Sequence, residues 1–229
     1  MNILNYEAFK VENLAEIIEK QKEIMFAFEP NLKQRVEEFD IDIYEDQMLL
    51  KDFLLVRAVE EITEAGAAIK ANHVEHFKEE LIDVFNFLVE ASIILGDKYK
   101  IVPDETVDEE VLSSAPIYHY FNGEKYFGDV DTLDANYTEE ENSKYRLPNI
   151  QTNLYHLIQS IGELTNVLKL RPWRQSQYPV DLMTFKQRWV EIWHQFWLML
   201  RYQGFGFEEF KEIWSKKYQV NKFRIDSNY

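Results

Sequence analysis

The sequence predicts an all-α protein, built as a helical bundle of antiparallel helix pairs. Glycine and proline are scarce, with 7 and 6 among 229 residues, while the helix formers leucine, glutamate and lysine are plentiful. Apolar residues also recur at helical spacing in several long segments. Because 46% of the residues are hydrophobic, the chain can bury a substantial core, and we interpret residues 1–229 as a single domain.

The first half of the chain contains three predicted helices. Residues 11–29 place apolar side chains at helical spacing and form the first one. Two longer helices follow at 46–72 and 74–96, with the break between them near 71–73 and with Gly96 closing the second. The short connection predicts that these two helices pack as an antiparallel pair.

Residues 97–150 differ from the rest in composition. They are rich in Asp, Glu, Tyr and Asn and show little helical periodicity. The sequence alternates around Asn122 and Gly123, a strong local signal that predicts a small β-hairpin at 117–127. Residues 129–142 are typical of an exposed acidic loop. We therefore interpret 97–150 as a loop and hairpin insertion rather than as a folded domain.

Helical periodicity returns over residues 150–229. A break is predicted at 203–207, where the sequence is QGFGF, and the last helix is predicted from 208 to 223. Three tryptophans recur every four residues before the break: Trp189, Trp193 and Trp197. A stripe of large apolar side chains at helical spacing indicates core packing in preference to a base-stacking platform.

The composition excludes several classes of partner. The net charge is −16, from 25 basic and 41 acidic residues, and such a surface repels nucleic acid and anionic membranes. No apolar run reaches membrane-spanning length. The absence of cysteine excludes disulfides and thiolate zinc sites and suits a reducing compartment. The N-terminus has no basic-then-apolar signal pattern, so a cytoplasmic protein is expected.

One predicted helix carries a narrow acidic strip on an otherwise apolar surface. A helix at the surface of a protein would show a broad polar face, so this strip is predicted to face an internal cleft. At 100° per residue, six polar side chains fall on one side of residues 75–95: His76, Glu79, Glu80, Asp83, Asn86 and Glu90.

The preceding helix carries a second acidic pair, Glu61 and Glu64. If the two helices pack antiparallel, these side chains converge with Glu80 and Asp83, since residues three apart share a helix face. Clustered carboxylates repel one another and are tolerated only if they are protonated, hydrated or neutralised by a cation. All-oxygen ligation predicts Mg²⁺, or Mn²⁺. The alternative is an ordinary solvated acidic face.

A weaker echo of this pattern follows in the second half. The pairs 61–64 and 80–83 recur as 163–166 and 191–194, with fewer acids. An ancient duplication that left one silent site would produce this pattern, and so would chance.

At the acidic residues the sequence resembles the all-α nucleoside triphosphate pyrophosphohydrolases, which include dimeric dUTPases, MazG-like enzymes and phage-type dCTP pyrophosphatases. The family signature is Glu-x-x-Glu followed by Glu-x-x-Asp, and it reads EITE at 61–64 and ELID at 80–83. Asn86 stands where dimeric dUTPases usually carry histidine. Near the N-terminus, Gln21 keeps the glutamine of a base-contacting segment, whereas Met25 stands where asparagine is typical.

The end of the chain resembles a second family pattern, Lys-Asn-x-x-Asn-x-x-Arg-Gln-x-x-Gly-Tyr. Four residues of the sequence KYQVNKFRIDSNY fall on this pattern: Lys217, Asn221, Arg224 and Tyr229. Three depart from it: Tyr218, Ile225 and Asn228. The resemblance covers about two thirds of the chain and leaves the insertion outside.

The resemblance implies a Mg²⁺-dependent enzyme that hydrolyses a dNTP to dNMP and pyrophosphate, and that forms a homodimer. It implies that all four acids hold the metal and that Glu61 or Glu64 orients or deprotonates the attacking water. Lys217 and Arg224 would bind phosphates. The remaining substrate contacts it implies are Gln21, Asn86, Asn221 and Tyr229.

Several functional alternatives remain open at this point. dUTP is the expected substrate, with dCTP or another dNTP as the alternative. A catalytically silent relative that acts as a binding or regulatory protein is a different class, and an acidic decoy for basic proteins is a third. The residues from Asn221 onward are expected to close over bound nucleotide, since a chain end is ordered only when something ties it down.

Overall fold

The structure is a computed structural model that describes residues 14–99, 139–171, 173, 178–202 and 205–227. Within these ranges the regular elements are helices and no strand occurs, which confirms the all-α prediction. The hairpin predicted at 117–127 lies outside the described residues. None of the helices in the described ranges combines the length and the hydropathy that a membrane span requires.

Eight α-helices and one π-helical segment are described. The segment Asp52–Ala58 is π-helical and joins α3 to α4 without a break. The α-helices are α1 (Leu14–Phe28), α2 (Leu32–Glu37), α3 (Tyr44–Lys51), α4 (Val59–Lys70), α5 (Val74–Tyr99), α6 (Glu139–Val167), α7 (Leu182–Tyr202) and α8 (Phe207–Asp226).

The predicted helices of the first half are confirmed. The structure adds the short helix α2 and shows that part of the second predicted helix is π-helical. The helix α1 lies inside the predicted range 11–29, and the run from α3 to α4 matches the predicted helix at 46–72. The six-residue α2 was not predicted, because so short a helix shows no periodicity of its own. The π-helical segment was also missed. Such segments are rare and occur often at functional sites, and this one ends directly before the first acidic pair.

The turn between α4 and α5 forms where the sequence indicated it. Asn72 adopts a positive φ of 59°, a conformation that asparagine tolerates better than most residues. The amide of His73 donates to the carbonyl of Ala68 over 2.9 Å, and that of Asn72 to Ile69 over 3.1 Å. These two bonds close the end of α4 as a Schellman motif. The turn therefore returns the chain along α4 and brings the two acidic pairs to one side.

The boundary of the predicted insertion is wrong at its C-terminal end. Residues 139–150 were assigned to the insertion, but α6 begins at Glu139. The sequence starts this helix with three glutamates, 139–141. Glutamate is a good helix former, and negative charge near a helix N-terminus is stabilised by the helix dipole. The acidic composition of this stretch predicts a loop, but its glutamates form the start of a helix.

The buried hydrophobic side chains of the described helices form one cluster. At its centre, the Phe85 ring on α5 lies 6.0 Å from that of Trp193, 6.1 Å from Trp197 and 4.9 Å from Phe210, measured between ring centroids. Trp189 is also buried, so the core interpretation of the tryptophan stripe is confirmed. These rings fix α5 against α7 and α8 and thereby set the position of its acidic strip.

Two helix pairs, α4 with α5 and α6 with α7, pack together more extensively than any other pair of described elements. They meet where α4 contacts α6. A side chain at Gly66 would bring its Cβ to 3.7 Å from Leu154 of α6, so the absence of a side chain at this position lets α6 approach closely. Glu61 and Glu64 lie on the opposite face of α4, at 100° per residue.

Candidate metal centre

Three of the four predicted metal ligands converge. Glu61 and Glu64 extend from α4 and Glu80 extends from α5, and one carboxylate oxygen of each lies within 4.8 Å of the others. Glu80 is buried, Glu61 is half-buried and Glu64 is exposed. The group therefore runs from the protein interior to solvent, an arrangement in which an ion can be held on one side and remain open to a substrate on the other.

The carboxyl of Glu61 is strongly perturbed. Its pKa is raised from 4.5 to about 8, first by burial and then by the charge of Asp83, a hydrogen bond shared with Glu80, and the charges of Glu80 and Glu64. A raised acid pKa of this origin means that the site holds a proton when no cation neutralises it. The donor set is all oxygen, so the residues fit Mg²⁺ or Mn²⁺.

His76 supports Glu80 from one turn earlier on α5. Its Nδ1 lies 2.9 Å from Oε1 of Glu80 and 3.6 Å from Oε2 of Glu79. The sequence placed His76 on the acidic strip without giving it a role. A neighbour four residues away on the same helix face can hold a carboxylate in one orientation, and His76 therefore positions the buried ligand of the group.

Asp83, the fourth predicted ligand, is paired with Lys217 of α8. Burial raises the pKa of Asp83, while the ammonium group of Lys217 acts in the opposite direction. Lys217 was predicted to bind phosphate and Asp83 to bind metal, and the structure brings the two together. In this state an internal cation lies at the edge of the acidic group.

Asn86, a predicted substrate contact, is buried one turn beyond Asp83. The indole Nε1 of Trp214 donates to its Oδ1 over 2.9 Å, and its amide is hydrogen-bonded to the carboxylate of Asp83. Both polar ends of Asn86 are therefore engaged within the protein. Asn86 therefore fixes the position of the Asp83 carboxylate relative to Trp214 of α8.

Gln21, the predicted base contact, lies against the far end of the strip. Its Nε2 donates to Oε1 of Glu90 over 2.8 Å, and this bond joins α1 to α5. Both side chains are buried. The structure thus brings Gln21 to the same helix face as the acidic group, next to a carboxyl that was placed on the strip without a predicted function.

The remaining predicted substrate contacts lie at the end of α8. Arg224 is exposed, and its Nη1 donates to Oδ1 of Asn221 over 3.3 Å. Residues 221–226 belong to the helix, so the segment expected to form a closing tail continues α8 as far as Asp226. Tyr229 lies outside the described residues.

The second, weaker acidic pattern provides an internal comparison. Nη1 of Arg188 lies 2.8 Å from Oε2 of Glu163 on α6 and 2.7 Å from Oε2 of Glu191 on α7. Here a guanidinium group of the chain itself neutralises the carboxylates that face each other across a helix pair. The group at Glu61 and Glu80 contains no such arginine among the described residues, and Lys217 pairs with Asp83 at its edge.

The π-helical segment positions a charged group near the strip. Nε of Arg57 donates to Oδ2 of Asp52 over 2.9 Å, and its guanidinium also pairs with Glu29 at the end of α1. The guanidinium carbon lies 4.0 Å from the centroid of the Phe53 ring. These contacts tie the residue that follows α1 to the π-helical segment that leads into α4.

Comparisons of the chain with protein-family models, with curated proteins and with solved structures found no match. The side chains of the site and the sequence motifs to which they belong are therefore the basis for assigning a function.

The pKa of Glu61 leads to an expected dependence of stability on pH. Between 4.5, the unperturbed pKa, and about 8, the folded protein holds a proton that the unfolded chain has released. The free energy of unfolding of the metal-free protein should therefore fall as pH rises through this range. Thermal unfolding in chelator over a pH series measures it. Glu61→Gln should reduce the slope without abolishing it, because Glu90, whose pKa is raised to about 7, keeps its own contribution.

Glu60→Gln is the matched control, because Glu60 is exposed on the same helix. Added Mg²⁺ should restore stability at the high-pH end, since the ion replaces the lost proton. A metal-free protein whose stability is equally pH-dependent with Glu61 and with Gln at that position would contradict the assignment.

Proposed function

We propose that the protein is a Mg²⁺-dependent dNTP pyrophosphohydrolase of the dimeric dUTPase-like kind, with dUTP as the expected substrate. The observation that carries the proposal is the group formed by Glu61, Glu64 and Glu80, whose carboxylate oxygens lie within 4.8 Å of one another on two packed helices. The family-like signature at 61–64 and 80–83 supports it independently of the geometry.

The three glutamates would hold the ion, and the remaining positions around it would be left for water and phosphate oxygens, as Mg²⁺ prefers. When bound, the ion supplies charge neutralisation to the triphosphate and acidifies a bound water. His76 keeps Glu80 oriented towards the other two carboxylates. The exposed side of Glu64 is the direction from which a triphosphate can approach.

Glu61 or Glu64 would accept the proton of the attacking water. The water oxygen forms a bond to the α-phosphorus, the bond between that phosphorus and the α–β bridging oxygen breaks, and pyrophosphate leaves with the bonding electrons. A carboxylate that is deprotonated once the ion neutralises the group can take up this proton as a general base.

Lys217 and Arg224 would bind the phosphates. Both extend from α8, Lys217 already at the acidic group and Arg224 near the end of the helix. A guanidinium group offers a bidentate fork to phosphate, whereas an ammonium group acts as a compact point charge. A protein with a net charge of −16 requires such local positive charge to hold a polyanion.

The proposal includes a homodimer. Several large apolar side chains stay exposed on α1, on α3 and the residue before it, and on the π-helical segment, where they offer a surface for a second subunit. They are Phe28, Ile43, Met48, Leu55 and Val56, each between 42% and 56% exposed. Light scattering at micromolar concentration tests this part, and a monomer would contradict it.

Phosphorus NMR with each dNTP and Mg²⁺ in ¹⁸O-labelled water tests the reaction. We expect pyrophosphate and dNMP as products, with the label in the nucleoside monophosphate, because attack occurs at the α-phosphorus. Orthophosphate with dNDP, or label in pyrophosphate, would contradict the proposal. A catalytically silent relative would bind the nucleotide and release neither product.

A further inference from the structure

A buried carboxyl and a buried carboxamide form an isolated pair between α1 and α5. Glu90 is 6% exposed and Gln21 is 4% exposed, and their hydrogen bond measures 2.8 Å. The charges of Arg57, Glu29 and Asp83 influence the pKa of Glu90. Among the described contacts, these three residues form their ion pairs with other side chains. The pair therefore lies between the carboxylates of Glu61, Glu64 and Glu80 on one side and the ion pairs of Arg57 on the other.

Stability alone does not account for Glu90. Burial raises its pKa from 4.5 to about 7, against the opposing hydrogen bond from Gln21. A carboxyl whose charged form is disfavoured in the folded state is a net cost at neutral pH, and an apolar side chain of similar volume would avoid that cost. Strongly perturbed buried acids of this kind concentrate at functional sites.

The position of Glu90 suits contact with the base of a nucleotide. It lies seven residues after Asp83, which returns it to the same face of α5 about two turns, or about 10 Å, along the axis. That separation is comparable to the reach of a nucleoside from its α-phosphate to the far edge of its base. A triphosphate bound at the acidic group would direct its base towards this end of the strip.

We propose that Glu90 is a specificity-determining residue that, together with Gln21, hydrogen-bonds a nucleobase edge presenting an N–H donor beside an acceptor. The inference rests on the proposed function, because it assumes that phosphates bind at Glu61, Glu64 and Glu80. It adds a residue that neither of the recognised sequence motifs contains.

The chemistry of the pair matches such an edge. The amide nitrogen of Gln21 carries two hydrogens, and its bond to Glu90 uses one. The other hydrogen can be donated to a ring nitrogen or a carbonyl oxygen of the base, while the second oxygen of Glu90 accepts the N–H. Cytosine offers this combination through its amino group and N3, and uracil offers it through N3–H and a carbonyl.

Kinetics with dCTP, dUTP, dTTP and dATP test the proposal. Glu90→Leu should reduce the kcat/KM preference between the best and the worst dNTP by roughly tenfold or more, because a lost hydrogen bond to the base affects recognition directly. Most of the change should appear in KM. Glu90→Gln keeps the shape of the side chain but has one acceptor oxygen where Glu90 uses two, so it should also lose preference, by a smaller factor than Glu90→Leu.

Stability separates recognition from a structural role. If Glu90 hydrogen-bonds the base, Glu90→Leu should lose the kcat/KM preference among dNTPs while its melting temperature is unchanged or higher. Gln21→Leu should lose the same preference. If both leucine variants keep the wild-type preference, the subsite is refuted, whatever their melting temperatures.

The proposed function and the subsite can fail separately. Should the wild-type protein hydrolyse no dNTP, calorimetric titration of the full chain with deoxycytidine and with deoxyuridine tests the subsite alone. Binding to the wild-type protein that Glu90→Leu abolishes would support it, and equal binding or no binding by the two proteins would overturn it. Unequal affinity of the two nucleosides identifies the base.

Discussion

Replacement of Glu80 by Gln is expected to reduce dNTP hydrolysis by about a thousandfold or more. Glu80 is the buried member of the carboxylate group and the one that His76 orients. Its loss removes one negative charge from the metal ligands, and metal-based charge stabilisation contributes several kcal/mol to a phosphoryl transition state, at about 1.4 kcal/mol per tenfold in rate. Glutamine keeps the shape of the side chain, so the effect reports the charge.

Glu79→Gln is the control for this variant. The two residues are neighbours on α5, yet the side chain of Glu79 is 53% exposed and that of Glu80 is 7% exposed. Hydrolysis by Glu79→Gln should stay close to that of the wild-type protein. The melting temperature of Glu80→Gln in chelator should be equal or higher, because repulsion within the group decreases. Unchanged turnover in Glu80→Gln would refute the metal site.

The part of the site that depends on local spacing could be predicted from the sequence. Glu61 and Glu64 lie three residues apart, which places them on one face of any helix, and the Asn72 turn indicated that the next helix returns alongside. The convergence of these residues with Glu80 follows from those two facts. The buried tryptophan stripe was predictable for the same reason, because helical periodicity is a local property.

The contacts between distant segments could not be predicted in this way. Lys217 and Asp83 are 134 residues apart, and Gln21 and Glu90 are 69 residues apart. Periodicity gives the face of each helix on which these side chains lie, but the partner depends on how α1 and α8 pack against α5. The packing of α8 is set by the contact of Phe210 with Phe85, and that of α1 by buried apolar side chains such as Ile17 and Ile24. No local pattern specifies these contacts.

The misassigned elements show the same limit. The start of α6 was interpreted as an acidic loop because a run of glutamates is compatible with an exposed loop and with a helix N-terminus alike. The π-helical segment keeps the residue types of an ordinary helix, and only its hydrogen-bonding register differs. In both cases the composition is correct for the structure and insufficient to specify it.

Replacement of Lys217 by Met is expected to have opposite effects on nucleotide and on metal. Its ammonium group pairs with Asp83, so the change releases a carboxylate next to the metal ligands and should increase Mg²⁺ affinity. In the complex the same group is expected to bind phosphate. Its loss should raise KM for the dNTP by about ten- to a hundredfold, the range of a charge-assisted hydrogen bond.

Lys216→Met is the matched control, because Lys216 is the preceding residue on α8, is 69% exposed and pairs with Glu212 of its own helix. The control should change neither KM nor Mg²⁺ affinity, which calorimetry measures without nucleotide. The opposite signs are the decisive feature, since a merely structural defect would weaken both kinds of binding. If Lys217→Met binds Mg²⁺ and dNTP as the wild-type protein does, Lys217 is neither the internal counter-ion of the site nor its phosphate contact.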